Sequence, residues 1–338
     1  MTPVRAPQAR TPPIRLSELD ERIIRAAGLY GYVTIRDFYH LLAPVSYSTL
    51  RERARRLAGN ADHVAGQYLL RFPLASPEKG TKARVYTPGV KGRQVLGLEG
   101  YYRPSKIPSY HHLWHALTLT RFCVGAAAFG RTNPSFTLAE MRLSYEVAGS
   151  PPRVTIPING QDATVAVIPD AWLLFVRSDG KKFPLLVEID RASEYRMKFQ
   201  SLVRRRLDLI LLGEYTRYFG EEAVCIAFAT TGGATRLSTM QRWTQDVINA
   251  EIDEQTNRQE WLERFYFTPI VYEELFAPAL FTDPVWQHPG TANPVPLLPP
   301  IPAINTETRD GDFAQTTGTG EVPAALCDQT GLSADAAE

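Results

Sequence analysis

Two neighbouring apolar segments that carry acidic residues constrain the fold most strongly. Residues 163–176 and 183–190 are rich in Val, Ile, Leu and Phe, as buried strands are, and a short polar turn separates them. They contain Asp170, Glu188 and Asp190, although burying an unpaired carboxylate costs several kcal/mol. Side chains two apart on a strand share a face, so Glu188 and Asp190 point the same way. If the two strands pair, Asp170 lies close to Glu188 and Asp190, and the three carboxylates form a cluster.

This acidic cluster has two interpretations. Three carboxylates suit a hard divalent cation. Alternatively, Asp190 and Glu194 form ion pairs with Arg191 and Arg196 at the start of the next helix, and the acids are structural. The residues alone leave both interpretations open.

Length and composition indicate a folded cytoplasmic protein. A chain of 338 residues, 44% hydrophobic and 10% aromatic, is long enough for two domains with tails. Its three cysteines are far apart, which predicts neither a disulfide framework nor a zinc ribbon. Residues 1–13 lack the apolar segment of a signal peptide, and no apolar run is long enough to span a bilayer. We therefore expect no membrane association.

The charge is distributed unevenly along the chain. Seven acids and one arginine give residues 303–338 a net charge of −6, and the formal charge of +1 for the whole chain leaves +7 on residues 1–302. A basic body with an acidic tail suggests a polyanionic partner.

The N-terminal pattern predicts a basic disordered arm at 1–15, followed by a winged helix-turn-helix at 16–100. Ser17, Thr34 and either Ser46 or Ser48 are placed to cap three helices. Two short strand patterns follow, joined by a basic loop.

The third helix and the hairpin would then contact double-stranded DNA, because such a helix enters the major groove. The residues predicted to bind are Tyr47, Arg51, Arg53, Arg55, Arg56, Lys82 and Arg84. Two alternatives remain open: the arginines only solvate an exposed helix face, or the module docks a protein.

Residues 101–110, with two prolines, are interpreted as a linker, and residues 111–275 as a second domain. His111, His112 and His115 cluster at its start, but no Cys or carboxylate lies at ligand spacing, so packing histidines are preferred to a zinc site. Ser193 is placed to cap a helix rich in basic residues. Glycines 232 and 233 are interpreted as an ordinary strand-to-helix turn.

Residues 276–338 are expected to form a disordered tail, because they are first proline-rich and then acidic.

The order of helix, strand with Glu140, strand with Pro169-Asp170, strand with Glu188-x-Asp190, basic helix and strand resembles the nuclease core of the PD-(D/E)xK superfamily. Residues 16–270 more closely resemble the replication-relaxation family of plasmid and mobile-element proteins. That resemblance rests on the winged-helix pattern, the His115-Ala-Leu-Thr-Leu helix and the strand ending Val187-Glu188-Ile189-Asp190-Arg191-Ala192-Ser193-Glu194.

The resemblance implies an α+β or α/β fold, with an N-terminal winged helix followed by a restriction-endonuclease-like mixed sheet flanked by helices. Asp170 and Glu188 match the two metal-binding acids of the superfamily, and Asp190 or Glu140 would assist them in holding Mg²⁺ or Mn²⁺. The pattern requires a lysine two residues after Glu188, where this chain has Asp190; Lys198 is the candidate replacement.

Three functions follow as hypotheses. The first is a DNA-binding protein of a plasmid or other mobile element, acting in replication, relaxation or conjugative transfer, with a metal-dependent nuclease-like domain. The second is a non-enzymatic transcriptional regulator or replication accessory factor with a degenerate nuclease core, which binds other proteins of the element. The third is a protein-interaction adaptor without a nucleic-acid role.

Overall fold

A computed structural model of the protein describes residues 15–59, 68–74, 84–97, 109–158, 161–192, 194–253 and 257–301. The predicted arm before residue 15, nearly all of the predicted linker, Lys82, Ser193 and the acidic tail beyond residue 301 lie outside these ranges. None of the described helices combines the length and the hydropathy needed to cross a bilayer.

The chain begins with three helices whose starts are fixed by local capping. They are α1 (Glu18–Tyr30), α2 (Ile35–Leu41) and α3 (Tyr47–Ala58). The hydroxyls of Ser17, Thr34 and Ser46 each accept a hydrogen bond from the backbone N–H three residues later. These bonds satisfy N–H groups that have no partner within the helix. The predicted caps are confirmed, with Ser46 rather than Ser48 capping α3.

A three-stranded antiparallel sheet packs beside these helices. It consists of β1 (Val33–Thr34), β2 (Leu69–Pro73) and β3 (Arg84–Pro88) in the order β1-β3-β2. A short helix, α4 (Val90–Leu96), follows. The predicted hairpin is therefore present as β2 and β3.

The rest of the chain forms a mixed α+β structure around a five-stranded sheet. Its elements are α5 (Tyr110–Thr132), β4 (Phe136–Leu143), α6 (Ser144–Gly149), β5 (Arg153–Ile158), β6 (Gln161–Ala166), β7 (Ala171–Arg177), β8 (Lys182–Asp190), α7 (Arg196–Leu211), α8 (Glu214–Phe219), β9 (Cys225–Thr230), α9 (Gly233–Glu251), α10 (Arg258–Glu263), β10 (Phe265–Pro269) and α11 (Ala279–Thr282). The sheet order is β10-β9-β8-β7-β4. Strands β8, β9 and β10 are parallel, and β7 runs antiparallel to both of its neighbours.

The two faces of the sheet bury separate cores. On one face, Val187, Leu185 and Ala227 share a core with α5 and with the N-terminal helices. On the other face, Leu186 and Phe228 pack against α7, α8 and α9. The N-terminal helices and the sheet therefore share one apolar core, and burial of that core holds them together.

Two boundaries differ from the predictions. Residues 163–176 are not one strand: β6 pairs with β5 in a separate two-stranded sheet, and the chain bends at 167–170 before β7 enters the large sheet. Prolines 152 and 169 flank the hairpin of β5 and β6, and proline does not continue a strand ladder. Helix α7 begins at Arg196, with Tyr195 rather than Ser193 at its cap position.

The prediction that the chain is disordered from residue 276 is wrong up to residue 300. Trp286 and Phe281 are fully buried, and both rings contact Phe122 of α5. A side chain at Gly125 would collide with the carbonyl of Leu275, so glycine lets this segment lie directly on the helix. The proline content suggested disorder, but the aromatic residues between the prolines fill a groove.

Candidate functional site

A cavity of about 200 Å³ lies where β7 begins and β8 ends. The charged and polar side chains that line it are His115, Asp170, Glu188, Asp190, Glu194 and Arg206. The remaining wall is apolar and includes Phe199 and Phe228. The antiparallel pairing of β7 with β8 places Ala171 opposite Val187, which brings Asp170 next to the Glu188 end of β8. The three predicted acids therefore meet at one cavity.

Asp170 is held at the bend before β7. Its Oδ2 accepts a hydrogen bond of 2.8 Å from the backbone N–H of Ile189, and its Oδ1 lies 3.1 Å from Nε2 of His115. Burial by itself lowers the pKa of His115, but its hydrogen bond to Asp170 and the charges of Asp170 and Glu188 raise it above its usual value. The contact with Asp170 therefore favours the protonated imidazole.

Glu188 forms a buried ion pair with Arg206 of α7. The Nε of Arg206 donates to Oε1 of Glu188 at 2.6 Å, and Nη2 contacts the same oxygen and the carbonyl of Ile168. Burial raises the pKa of Glu188 to about 7, an effect that Asp170 reinforces and Arg206 opposes.

Both oxygens of Asp190 are occupied. Arg236 of α9 donates to Oδ1 at 2.7 Å and to Oδ2 at 3.0 Å, and Oδ2 also accepts from the Thr230 hydroxyl and from the N–H of Ala192. Ala192 has a φ of 57°, and a side chain at Gly232 would collide with its Cβ. Glycine at 232 is therefore needed for close approach of the loops after β8 and β9.

Glu140 and Lys198 are not brought into the cavity. Glu140 is opposite Leu174 and pairs with Arg142, and Leu174 is opposite Pro184 on β8. Pro184 lies four residues before Glu188, roughly 13 Å along a strand. Lys198 forms an ion pair of 2.6 Å with Glu194 at the start of α7, and its side chain is largely exposed.

The alternative ion pairs at the helix start, Asp190 and Glu194 with Arg191 and Arg196, are wrong, because each of these described side chains has a different partner. Glu194 pairs with Lys198, Arg196 pairs with Asp246, and Arg191 donates to the carbonyl of His111. Among the basic residues of α7, Arg204 also has an acidic partner, Glu251. These contacts leave α7 less positive than its sequence suggests.

The divalent cation that the family resemblance implies does not fit these side chains as they are arranged. Each predicted acid already has a partner: the imidazole of His115 for Asp170, and the guanidinium groups of Arg206 and Arg236 for Glu188 and Asp190. A cation would have to displace partners that already balance the carboxylates. Across the described ranges, no three His, Cys, Asp or Glu side chains are arranged to hold a metal ion.

Between pH 5 and pH 8, the wild-type protein should lose about 2 kcal/mol more of its free energy of unfolding than Glu188→Gln. The folded state raises the pKa of Glu188 from 4.5 to about 7, so the folded protein binds this proton more tightly than the unfolded chain. The resulting stability is complete below pH 4.5 and is lost as the pH rises through 7. The raised pKa of His115 acts in the same direction.

Urea denaturation at several pH values measures this difference. Glu140→Gln, a change at a half-exposed position of the same sheet, is the control and should leave the wild-type pH dependence in place. If the free energy of unfolding changes with pH in the same way for wild type and Glu188→Gln, the raised pKa assigned to Glu188 in its buried pair is contradicted.

A second candidate surface lies on α3. Tyr47, Arg51 and Arg55 are spaced four residues apart, so they occupy one face of the helix, and all three are exposed. Neither arginine forms an ion pair or hydrogen bond with any described residue. The exposed Arg84 begins β3 of the neighbouring sheet.

The other two predicted arginines of α3 have a structural role. Arg53 and Arg56 both form ion pairs with Asp20 of α1, whose side chain is completely buried. These pairs tie α3 to α1 and orient the exposed face of α3.

Comparison with known proteins gives no match: no family model fits the chain, and no curated protein or solved structure is significantly similar to it. The resemblance to the replication-relaxation family therefore stays a prediction.

The cationic partners of the acids were missed as site residues. Arg206 and Arg236 lie 18 and 46 residues from the acids they neutralise, and a single sequence contains no signal for such pairs. His115 belongs to the cluster with His111 and His112 and to the motif His115-Ala-Leu-Thr-Leu, but neither pattern indicates Asp170 as its partner.

Proposed function

We propose that the protein binds double-stranded DNA through its N-terminal helices, as a factor of a plasmid or other mobile element. The observation that carries this proposal is the exposed face of α3, where Tyr47, Arg51 and Arg55 lie in line and neither arginine has an ionic partner within the described part of the chain. An arginine that is kept in water without a carboxylate is available to a phosphate or to the edge of a guanine.

The arrangement around α3 supports a winged helix-turn-helix. Helices α1, α2 and α3 precede the hairpin of β2 and β3, and β1 adds a third strand to it. In that arrangement α3 enters the major groove, and Arg84 on β3 lies beside the DNA backbone. The role in replication, relaxation or conjugative transfer rests on the family resemblance alone.

The large sheet supports a nuclease-like core that binds without cutting. The succession α5, β4, β7, β8, α7 and β9 follows the order on which the resemblance rests, and Asp170, directly before β7, lies beside Glu188 of β8. Because Arg206 and Arg236 neutralise Glu188 and Asp190, and His115 binds Asp170, we assign the core no cleavage step. Plasmid nicking in Mg²⁺ or Mn²⁺ that Asp170→Ala abolishes would favour the nuclease instead.

The affinity of the wild-type protein for a mixed-sequence 20-base-pair duplex should fall steeply with salt. Each neutralised phosphate contributes about −0.9 to the slope of log K against log[NaCl], so three basic side chains give a slope of about −2.7. The three are Arg51, Arg55 and Arg84. Fluorescence anisotropy between 50 and 250 mM NaCl measures it. No binding at 50 mM, or binding insensitive to salt, would contradict the proposal.

A further inference from the structure

A second cavity, of about 210 Å³, lies between the N-terminal helices and α5. Its wall is formed by the end of α1, the end of β3, α4, the first turns of α5 and the start of α6. Most of its surface is apolar or aromatic and comes from Tyr30, Tyr32, Pro88, Leu119, Leu143 and Tyr145. A concave apolar wall with a few polar groups is typical of small-molecule sites.

The ionisable side chains on this wall are Arg93, His112 and His115, and no aspartate or glutamate is among its described lining residues. An imidazole donates a hydrogen bond in either protonation state, so His112 can bind one anionic group at the edge of the apolar wall. The aromatic faces of the tyrosines favour a flat ring in the remaining space.

The size of the cavity limits the ligand. An apolar cavity of roughly 150 Å³ in another protein binds benzene. At about 210 Å³, this one has room for a somewhat larger ring system. We propose that the cavity binds a small aromatic molecule of one or two fused rings that bears a single anionic group.

His115 connects this cavity to the acidic one, because its side chain lines both. An anion in the aromatic cavity would lie on one side of the imidazole, with Asp170 on the other. We therefore expect binding to change the environment of Asp170. This proposal is independent of duplex binding, since neither α3 nor its arginines contribute to the cavity.

Isothermal titration calorimetry with 2-naphthoate and its neutral analogue 2-naphthamide tests the proposal on the full chain without DNA. The carboxylate should bind at least tenfold more tightly than the amide. His112→Ala should remove most of that preference. Ala116→Trp should abolish binding of both, because Ala116 lines the cavity and the indole would fill it.

Two further variants control for the effect of adding an indole ring and for misfolding of Ala116→Trp. Ala139→Trp places the same ring at an exposed position of β4, outside the cavity, and should bind like wild type. If Ala116→Trp fails to unfold cooperatively, Ala116→Leu replaces it and should weaken binding at least tenfold. Absence of naphthoate binding to the wild type, equal binding of the amide, or binding unchanged in the cavity-filling variants would each overturn the proposal. The presence or absence of duplex binding has no bearing on these outcomes.

Discussion

Replacing Arg121 with methionine should lower the free energy of unfolding by about 3 to 5 kcal/mol, the range expected when one partner of a buried ion pair is removed. Arg121 lies on α5, and its Nε is 3.5 Å from Oδ1 of Asp37 on α2, which is completely buried. Its guanidinium also donates to the carbonyl of Tyr272 and stacks on the Tyr272 ring at 3.5 Å. Methionine keeps much of the volume but leaves the Asp37 carboxylate without a cation.

The state of Asp37 explains why the loss is large. Burial raises its pKa, and Arg121 and the Thr34 hydrogen bonds counteract that effect. Without Arg121, folding must either bury an uncompensated charge or take up a proton. The loss should therefore be smaller at pH 5 than at pH 8.

Urea denaturation of Arg121→Met, Asp37→Asn and the double variant measures the coupling between the two side chains. Arg131→Met is the matched control, because the described partners of this exposed arginine of the same helix are the carbonyls of His40 and Leu41 and include no carboxylate. It should cost about 1 kcal/mol. Equal losses for Arg121→Met and Arg131→Met would show that the buried pair does not hold the N-terminal helices to α5.

Features set by neighbouring residues were predictable from the sequence. The caps at Ser17 and Thr34 depend on side chains three residues away, and the apolar spacing of α3 is a local pattern. The pairing of β7 with β8 followed from two apolar segments joined by a short turn. The convergence of Asp170 with Glu188 was predictable for the same reason.

Features set by distant residues were not predictable. Four arginines on α3 look alike in the sequence, but Arg53 and Arg56 form ion pairs with Asp20 on α1. Arg51 and Arg55 are exposed and have no partner among the residues that the structure describes. Likewise, Trp286 is buried because its ring packs against Phe122 of α5. The proline-rich sequence around Trp286 does not indicate this contact.

The double variant Arg51→Ala/Arg55→Ala should weaken duplex binding at least about 30-fold. An arginine that contacts a base or phosphate contributes about 1 to 3 kcal/mol, so two such contacts are worth at least about 2 kcal/mol. The salt slope should become shallower by up to about two, since two phosphate contacts are lost. Both side chains are exposed, and no described residue pairs with either of them, so the stability should change by less than about 0.5 kcal/mol.

The matched control removes the same charge from another helix. Arg22 and Arg25 are exposed on α1, and Arg22→Ala/Arg25→Ala changes the net charge by the same amount. If binding depends on total charge alone, both double variants lose the same affinity. If α3 contacts the duplex, only the α3 variant loses affinity strongly.

Anisotropy titration of one duplex with these two variants and the wild type tests the DNA-binding proposal most directly. We expect the α3 variant to lose at least about 30-fold in affinity at 50 mM NaCl, with the α1 variant within about threefold of wild type. Equal affinities for the two variants, or an α3 variant that binds like wild type, would contradict a DNA interface on α3.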